Sequence, residues 1–515
     1  MLGSFYFTLG NLPPKYRSRL ASIQLLVLVK SIHVSKYGMD AVMEPFISDL
    51  KKLEKGVEFI VRGTKRKFYG IFAIVSADNL GSLALGGFKE SCSAEKMCRQ
   101  CMTTRPESQK KFLEVNFELR TAENHKDQCA LVEADKTGKR SKEYGINRDS
   151  SLNTLAYFHV CNGSLVPDIM HDVLEGALQY EVKLILQHMI YEENYFTLDK
   201  INSRLENLEL GSIESKSRPT PISSNTLNSD GSSLRQNASQ MWLLGCILPI
   251  AVGEYVPDDD ERWALFLQLM DVMDILLVPC TSENHAIYLA TLISDHHHEF
   301  TKLYSDANIL PKQHFMIHMP RMMTQFGLLV RHWTMRFEAK HSYFKQLAQS
   351  MGNFVNILAM RHQLYQSYLN IDRQHLPGWE HNLESGPGSV ANSDVISDQL
   401  EFPVSNVFSC KWVKIDGNEY KLGAGVILDV NHDLPIVGVI QDIYIINGDK
   451  IFFNVNQFST SYEPHYRTYI LEDKICSRII GYPDLFIYIA VHIRKLRVTD
   501  FSDVFILPFA LCVCD

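Results

Sequence analysis

Apolar positions recur with two different periods along this 515-residue chain, and the changes of period mark its elements. Phe5-Tyr6-Phe7-Thr8-Leu9 is aromatic and β-branched and stops at Gly10-Asn11-Leu12-Pro13-Pro14, which predicts a strand followed by a turn. Ile23 to Val29 is a short continuous apolar run, as a buried strand requires. From Met39 to Leu53 the spacing becomes helical through Ala41, Val42, Phe46, Ile47, Leu50 and Leu53, and it closes in a Lys-rich turn. Val57–Val61 reads as a further strand, and Lys67 to Ala77 (KFYGIFAIVSA) as the strongest strand of all, running straight into Asp78-Asn79. Strand, strand, helix, strand and then an acid at the strand end is an α/β pattern.

Past Cys92 the chain turns polar and rich in Lys, Arg and Glu as far as Arg148. Residues 165 to 370 are then mostly helical in period, opening at Pro167-Asp168 with an amphipathic run from Met170 to Leu186. Helices are expected at Trp242–Ile250, Trp263–Leu277 and His285–Tyr304, and again after Arg336. Pro377-Gly378, Ser385-Gly386-Pro387-Gly388-Ser389 and Asn392-Ser393-Asp394 mark 371–402 as a linker. Beyond it, short β-rich runs alternate with Asp416-Gly417-Asn418 and Asn447-Gly448-Asp449, the pattern of a small antiparallel barrel or sandwich. The division expected is 1–91, an N-terminal α/β part; 92–310, a cysteine-headed and helical insertion; 311–370, a helical return to the core; 371–402, the linker; and 403–515, a β-rich domain.

Composition narrows the function classes. Fifty-one Lys and Arg against 59 Asp and Glu give a net charge of -8, which excludes coating nucleic acid by bulk charge but leaves room for a local basic groove. No charge-free apolar run reaches about 18 residues, so no membrane span is expected. Met1–Gly10 meets Pro13, Pro14, Lys15, Arg17 and Arg19 at once, unlike a secretion signal. Eleven cysteines are too sparse for a disulfide scaffold and point to a reducing compartment.

Five groups of residues carry candidate chemistry. Asp78, at a strand end ahead of Gly81, Gly86 and Gly87, is either a metal-ligating carboxylate or an acid that begins a turn. Cys98-x-x-Cys101 is half of a tetrahedral metal site, and His314-x-x-x-His318 supplies two imidazoles at helical spacing, which equally suits plain helix polarity. Asp168-x-x-His171 sets an acid and an imidazole in the first turn of a helix, where the acid also complements the helix dipole. Glu338 is the one acid in residues 312–345 among six cations: Lys312, Arg321, Arg331, Arg336, Lys340 and Lys345. Trp333, Phe337, Tyr343 and Phe344 are interleaved with them, which suits phosphate contact beside a metal ligand as well as an ordinary helix face. Asp295-His296-His297-His298-Glu299 reads as a surface run.

Taken in order, Ser76-Ala77-Asp78-Asn79-Leu80 with Gly86-Gly87, Cys98-Arg99-Gln100-Cys101, Pro167-Asp168-Ile169-Met170-His171, His314–His318 and Arg336-Phe337-Glu338 resemble DDE transposases, most of all the CACTA-like (CMC-type) superfamily. The resemblance spans about residues 1–345 and does not cover the β-rich end. It implies an RNase H-like core interrupted by a large, mostly helical insertion, with three acids binding two Mg²⁺ ions. Asp78 would be the second acid and Glu338 the third. Cys98, Cys101, His314 and His318 would hold a structural Zn²⁺, and Asp168 and His171 would be the insertion's signature. DNA is the implied partner, contacted by Arg331, Arg336, Lys340 and Lys345; a homo-oligomer is compatible, and a nuclear location is implied.

The family's first acid lies on a strand ahead of the one read here at Ser4–Thr8. That leading strand is absent from this sequence, and Asp40 and Asp49 fall in the following helix. A transposable-element-derived, N-terminally truncated transposase with no or very weak strand transfer is therefore expected; the alternative is a non-catalytic DNA- or chromatin-associated interaction protein.

Overall fold

The computed structural model describes residues 2–90, 94–349, 357–364, 367, 383–400, 403–497 and 501–511. The chain is mixed α/β with a β-rich C-terminal sheet region, and it divides into two compact units: Met1–Ala177 with Thr281–Leu376, and Leu178–Cys280 with Pro377–Asp515. This division cuts through the 92–310 span that the sequence suggests as one insertion.

In the first unit, strands Leu2–Phe7 and Gln24–Lys30 pair antiparallel from Leu2↔Lys30 to Phe7↔Gln24, with an irregularity between Phe5 and Tyr6. The helix Ser31–Lys55 follows, broken at Gly38, whose φ of 82° takes the backbone out of the helical region. Its buried residues Met43, Ile47 and Leu50 repeat at helical spacing. They pack into a core with Val75, Leu85, Phe88, Phe158 and Leu165. Val57–Val61 and Thr64–Phe68 form an exposed hairpin turned through Arg62 and Gly63, both at positive φ.

The long strand expected at Lys67–Ala77 does not form. Lys67 and Phe68 finish the hairpin, and beyond them the ladder is reduced to one parallel bridge, Val75↔Leu165, with the Val75 N–H donating to the Ser164 carbonyl. Side-chain packing takes the place of pairing: Phe72 lies edge-on to Phe46 and 4.9 Å from Phe158, ring centre to ring centre. Hydrophobic content predicts a buried strand, yet Val75 is the one buried residue of the segment and Tyr69 and Ile71 are exposed; a strand also needs neighbours for its backbone groups.

Asp78 then caps the helix Asn79–Gly86. That helix ends at Gly87 in the left-handed region (φ 73°), where an added Cβ would come within 2.3 Å of the Arg148 carbonyl oxygen. The helices that follow in this unit include Ala122–Ala134, Glu283–Leu303, Pro311–Met316, Met319–Phe326 and Met335–Gln349. His296 and His297 are fully buried in the second of these, which corrects the reading of that run as surface.

The second unit contains the helices Leu178–Gln187, Leu198–Asn207, Ala238–Val252 and Glu261–Leu276, together with the C-terminal strands. Gly425–Asn431, Leu434–Ile446, Lys450–Glu463 and Thr468–Gly481 form an antiparallel meander within a nine-stranded sheet. Leu383–Ser385, Trp412–Ile415 and Asn418–Lys421 make a separate three-stranded sheet. Asp416-Gly417 and Asn447-Gly448 turn their hairpins at positive φ, as their sequences dictate. Part of the expected linker belongs to these sheets: Leu383–Ser385 pairs with Trp412–Ile415, and Gly388–Val390 with Val407–Cys410. Residues 371–382 of it lie outside the described residues.

Candidate metal centre and acidic network

The Cys98–Cys101 loop is fixed by its neighbours. The Gln100 N–H donates to Cys98 Sγ at 3.3 Å, and Cys101 pairs with Leu119 across an antiparallel bridge. Arg120, buried at 3% exposure, reaches back under the loop, its Nε donating to the Cys98 carbonyl at 2.9 Å and its Nη2 to the Tyr144 carbonyl at 2.7 Å. Against this loop the chain lays His314, in the short helix Pro311–Met316, and His318, at the cap of Met319–Phe326.

All four side chains are buried, and their ligand atoms lie within 4.8 Å of one another. Cys98 Sγ is 3.4 Å from His318 Nε2, and Cys101 Sγ is 3.4 Å from His314 Nε2. A tetrahedral ion with sulfur at ~2.3 Å and nitrogen at ~2.0 Å separates such donors by about 3.5 Å, so the geometry suits a metal ion at the centre. Burial alone would keep the Cys98 thiol protonated; hydrogen bonding to Cys101 and the nearby imidazoles overcome it and take its pKa well below the ordinary thiol range. Behind the donors, His318 Nδ1 donates to Glu114 Oε1 at 2.6 Å, and Arg321 Nε bridges both Glu114 oxygens at 2.9 and 3.0 Å. Such a carboxylate fixes the imidazole tautomer that leaves Nε2 free for a metal. Glu114 and Arg120 carry no sequence signal, because neither falls in a spaced motif with the residues it supports.

The two residues between the cysteines lead away from this centre. Arg99, fully buried, donates to the Asn79 side-chain oxygen at 2.7 Å and to the Leu165 carbonyl at 3.2 Å, while the Gln100 amide donates to that same carbonyl at 2.7 Å. Asn79 in turn donates to Asp172 Oδ1 at 2.6 Å, and Asp172 Oδ2 accepts from the Asp168 N–H. Asp168 is buried and takes three donors: the Thr334 N–H at 2.9 Å, the Thr334 hydroxyl at 2.5 Å and His171 Nδ1 at 2.6 Å. His171 Nε2 then reaches Glu338 Oε1 at 3.3 Å. Burial works against a charge on His171, but its hydrogen bonds to Asp168 and Glu338 outweigh it and push its pKa up to about 10. The imidazolium is thus clamped between two carboxylates. One hydrogen-bonded chain therefore runs from the cysteine loop, past the residue next to Asp78, through the Asp168–Asp172 turn to Glu338.

Asp78 and Glu338 themselves occupy different settings. Asp78 accepts the Gly81 N–H at 2.5 Å as a helix cap, and Glu338 is half exposed on the helix Met335–Gln349. Among the described residues, neither belongs to a group of three or more acid, imidazole or thiol donors whose ligand atoms all lie within 4.8 Å of one another. Asp40 is engaged elsewhere, with Ser151 and Arg148.

Of the expected DNA contacts, Arg331 and Arg336 are exposed, and Arg336 Nε donates to the Ser18 carbonyl. Lys340 is buried at 4% exposure, with Nζ on the Leu20 carbonyl at 2.9 Å, so this ammonium ties the loop at Leu20 in place and does not face solvent. The Lys345 side chain lies outside the described residues. Phe337 and Phe344 pack against Tyr6 of the first strand, which accounts for two of the interleaved aromatics as core.

No protein-family model matches the sequence, and no curated protein matches it. Among the described residues, no helix is long and apolar enough to cross a membrane.

Proposed function

We propose that this chain is a transposable-element-derived, transposase-like protein of the DDE type. Its first unit would be a version of the RNase H-like core in which a structural zinc knits distant segments together. The supporting observation is the convergence of the motifs: the cysteine loop, Asn79 beside Asp78, the Asp168–His171 turn and Glu338 are joined by consecutive hydrogen bonds, although they are scattered over some 260 residues of chain. The metal of the Cys98, Cys101, His314 and His318 cluster is zinc in this reading. Two sulfur and two nitrogen donors, complete burial and a carboxylate behind one imidazole suit a closed structural ion and leave no open position for a substrate.

A catalytic pair of Mg²⁺ ions does not fit the acids at hand. Two-metal phosphoryl transfer needs several carboxylates converging on ions about 4 Å apart, whereas among the described residues neither Asp78 nor Glu338 belongs to a group of three donors within 4.8 Å of one another. The reading is accordingly a nuclear DNA-binding protein of transposase ancestry, with the exposed Arg331 and Arg336 as its candidate phosphate contacts and with strand transfer absent or very weak.

The test uses the purified chain with supercoiled plasmid and Mg²⁺ at increasing salt. The expected result is DNA retention that falls steeply with salt, with no strand transfer. Failure to retain DNA even at low salt overturns the reading. Metal-dependent nicking that disappears in Glu338→Ala would overturn the inactive form of it and restore an enzyme.

A further inference from the structure

A second group of metal-binding side chains, sharing none of the four ligands described above, lies in the same unit. The helix Ala122–Ala134 begins at Thr121, whose hydroxyl accepts the Asn124 N–H, and it presents His125 and Cys129 one turn apart on its buried face. Cys129 Sγ lies 3.6 Å from His125 Nδ1 and 3.7 Å from Nε2. Asp149 completes the group, with all three ligand atoms within 4.8 Å of one another. The loop bearing Asp149 is pinned on both sides: Arg148 Nη2 donates to the Ala84 carbonyl at 2.8 Å and the Ser150 hydroxyl to the Leu85 carbonyl at 2.7 Å. Asn153 occupies Asp149 Oδ1, which leaves the other oxygen for a ligand.

We infer that His125, Cys129 and Asp149 form a second metal site, taking a zinc-class divalent ion whose fourth position is open to water on the exposed Asp149 side. Cys129 Sγ lies almost equally far from the two ring nitrogens, so either nitrogen shares an ion with it once the imidazole turns about Cβ–Cγ to face the sulfur. His125 is fully buried, and among the described residues the Cys129 thiol is the one hydrogen-bonding partner of its two ring nitrogens. A buried imidazole served by a single weak donor is under-satisfied, and an ion taken by the turned ring together with Cys129 and Asp149 removes that deficit. His159 stacks edge-on to His125 but spends its Nδ1 accepting the Cys161 N–H, so it is a neighbour and not a ligand. Arg120 is the cation facing the group, and its guanidinium is held by backbone carbonyls. Binding exchanges the Cys129 thiol proton for the metal–sulfur bond, releasing one proton to solvent.

The experiment is zinc stoichiometry by elemental analysis of the full chain after dialysis, with Zn²⁺ as the probe. Wild type is expected to carry two equivalents and Cys129→Ala one. Asp149→Asn, an exposed change that leaves the core intact, should weaken the second equivalent at least tenfold. Cys98→Ser reports on the other centre, so the two sites fail separately. One equivalent in wild type that survives Cys129→Ala and Asp149→Asn overturns the proposal, as do two equivalents that survive both substitutions.

Discussion

His318 and Glu114 face each other across 2.6 Å, imidazole Nδ1 to carboxylate, although 204 residues separate them in the chain. The contact holds His318 with Nε2 directed at Cys98, and Arg321 locks the carboxylate from behind. Glu114→Gln should therefore keep the four ligands yet lower zinc affinity by about 10–100-fold, read by competition with a chromogenic chelator. Unchanged affinity would mean that Glu114 serves only Arg321.

Removing a ligand is expected to do more than loosen the metal. Cys98, Cys101, His314 and His318 join segments more than 200 residues apart, so an ion held by them would act as a cross-link as well as a bound group. Cys98→Ser should lose its zinc equivalent and unfold at a lower temperature than wild type, with chelator treatment of wild type reproducing the drop. A Cys98→Ser protein with wild-type melting would show that packing alone holds these segments.

Thr334→Val tests the Asp168 clamp. The substitution keeps the shape and the backbone donor but deletes one of the three hydrogen bonds to a buried carboxylate. A hydrogen bond to a charged group contributes roughly 1.5–3 kcal/mol, and the loss should appear in urea unfolding. A change under about 0.5 kcal/mol would indicate that water replaces the hydroxyl.

His297 carries a pH dependence. Burial, together with the adjoining His296, takes its pKa down to about 3, while Nε2 stays hydrogen bonded to the Gln313 carbonyl at 2.9 Å. The folded state then binds fewer protons than the unfolded state below about pH 6.5, so stability should be full above that value and fall as the pH drops toward 3. His297→Gln keeps a donor for the Gln313 carbonyl and should flatten the slope of unfolding free energy between pH 4 and 6.5. An equal slope in wild type and variant would place the titration elsewhere.

In the second unit, Arg467 sits between Asp271 and Asp274 and is buried at the guanidinium. Arg467→Ala would leave Asp274 buried without its cation, a loss of about 3–5 kcal/mol, measurable as a lowered urea midpoint. A near-neutral result would show that Asp274 is neutral in the folded protein.

Local chemistry fixed what short-range forces decide. The period of apolar residues placed the helices around Trp242, Trp263 and His285 and the C-terminal strands; Asp-Gly and Asn-Gly dictated their hairpins because those residues adopt positive φ at little cost. The CxxC and HxxxH spacings marked the four ligands individually, since each pair lies within one turn or loop. Long-range pairing was beyond reach of the pattern. Lys67–Ala77 has the composition of a strand, but only the fold decides whether a neighbouring strand is there to take its backbone groups, and here Lys67 and Phe68 pair in the hairpin with one bridge beyond them at Val75. The same holds for His296 and His297, whose polar sequence gave no hint of burial, and for Lys340, whose charge is spent on a backbone carbonyl. Above all, joining Cys101 to His314 across 213 residues, and setting Glu114 behind His318, is an outcome of tertiary packing: a residue's type limits which contacts it can make, and the path of the whole chain selects the one it does make.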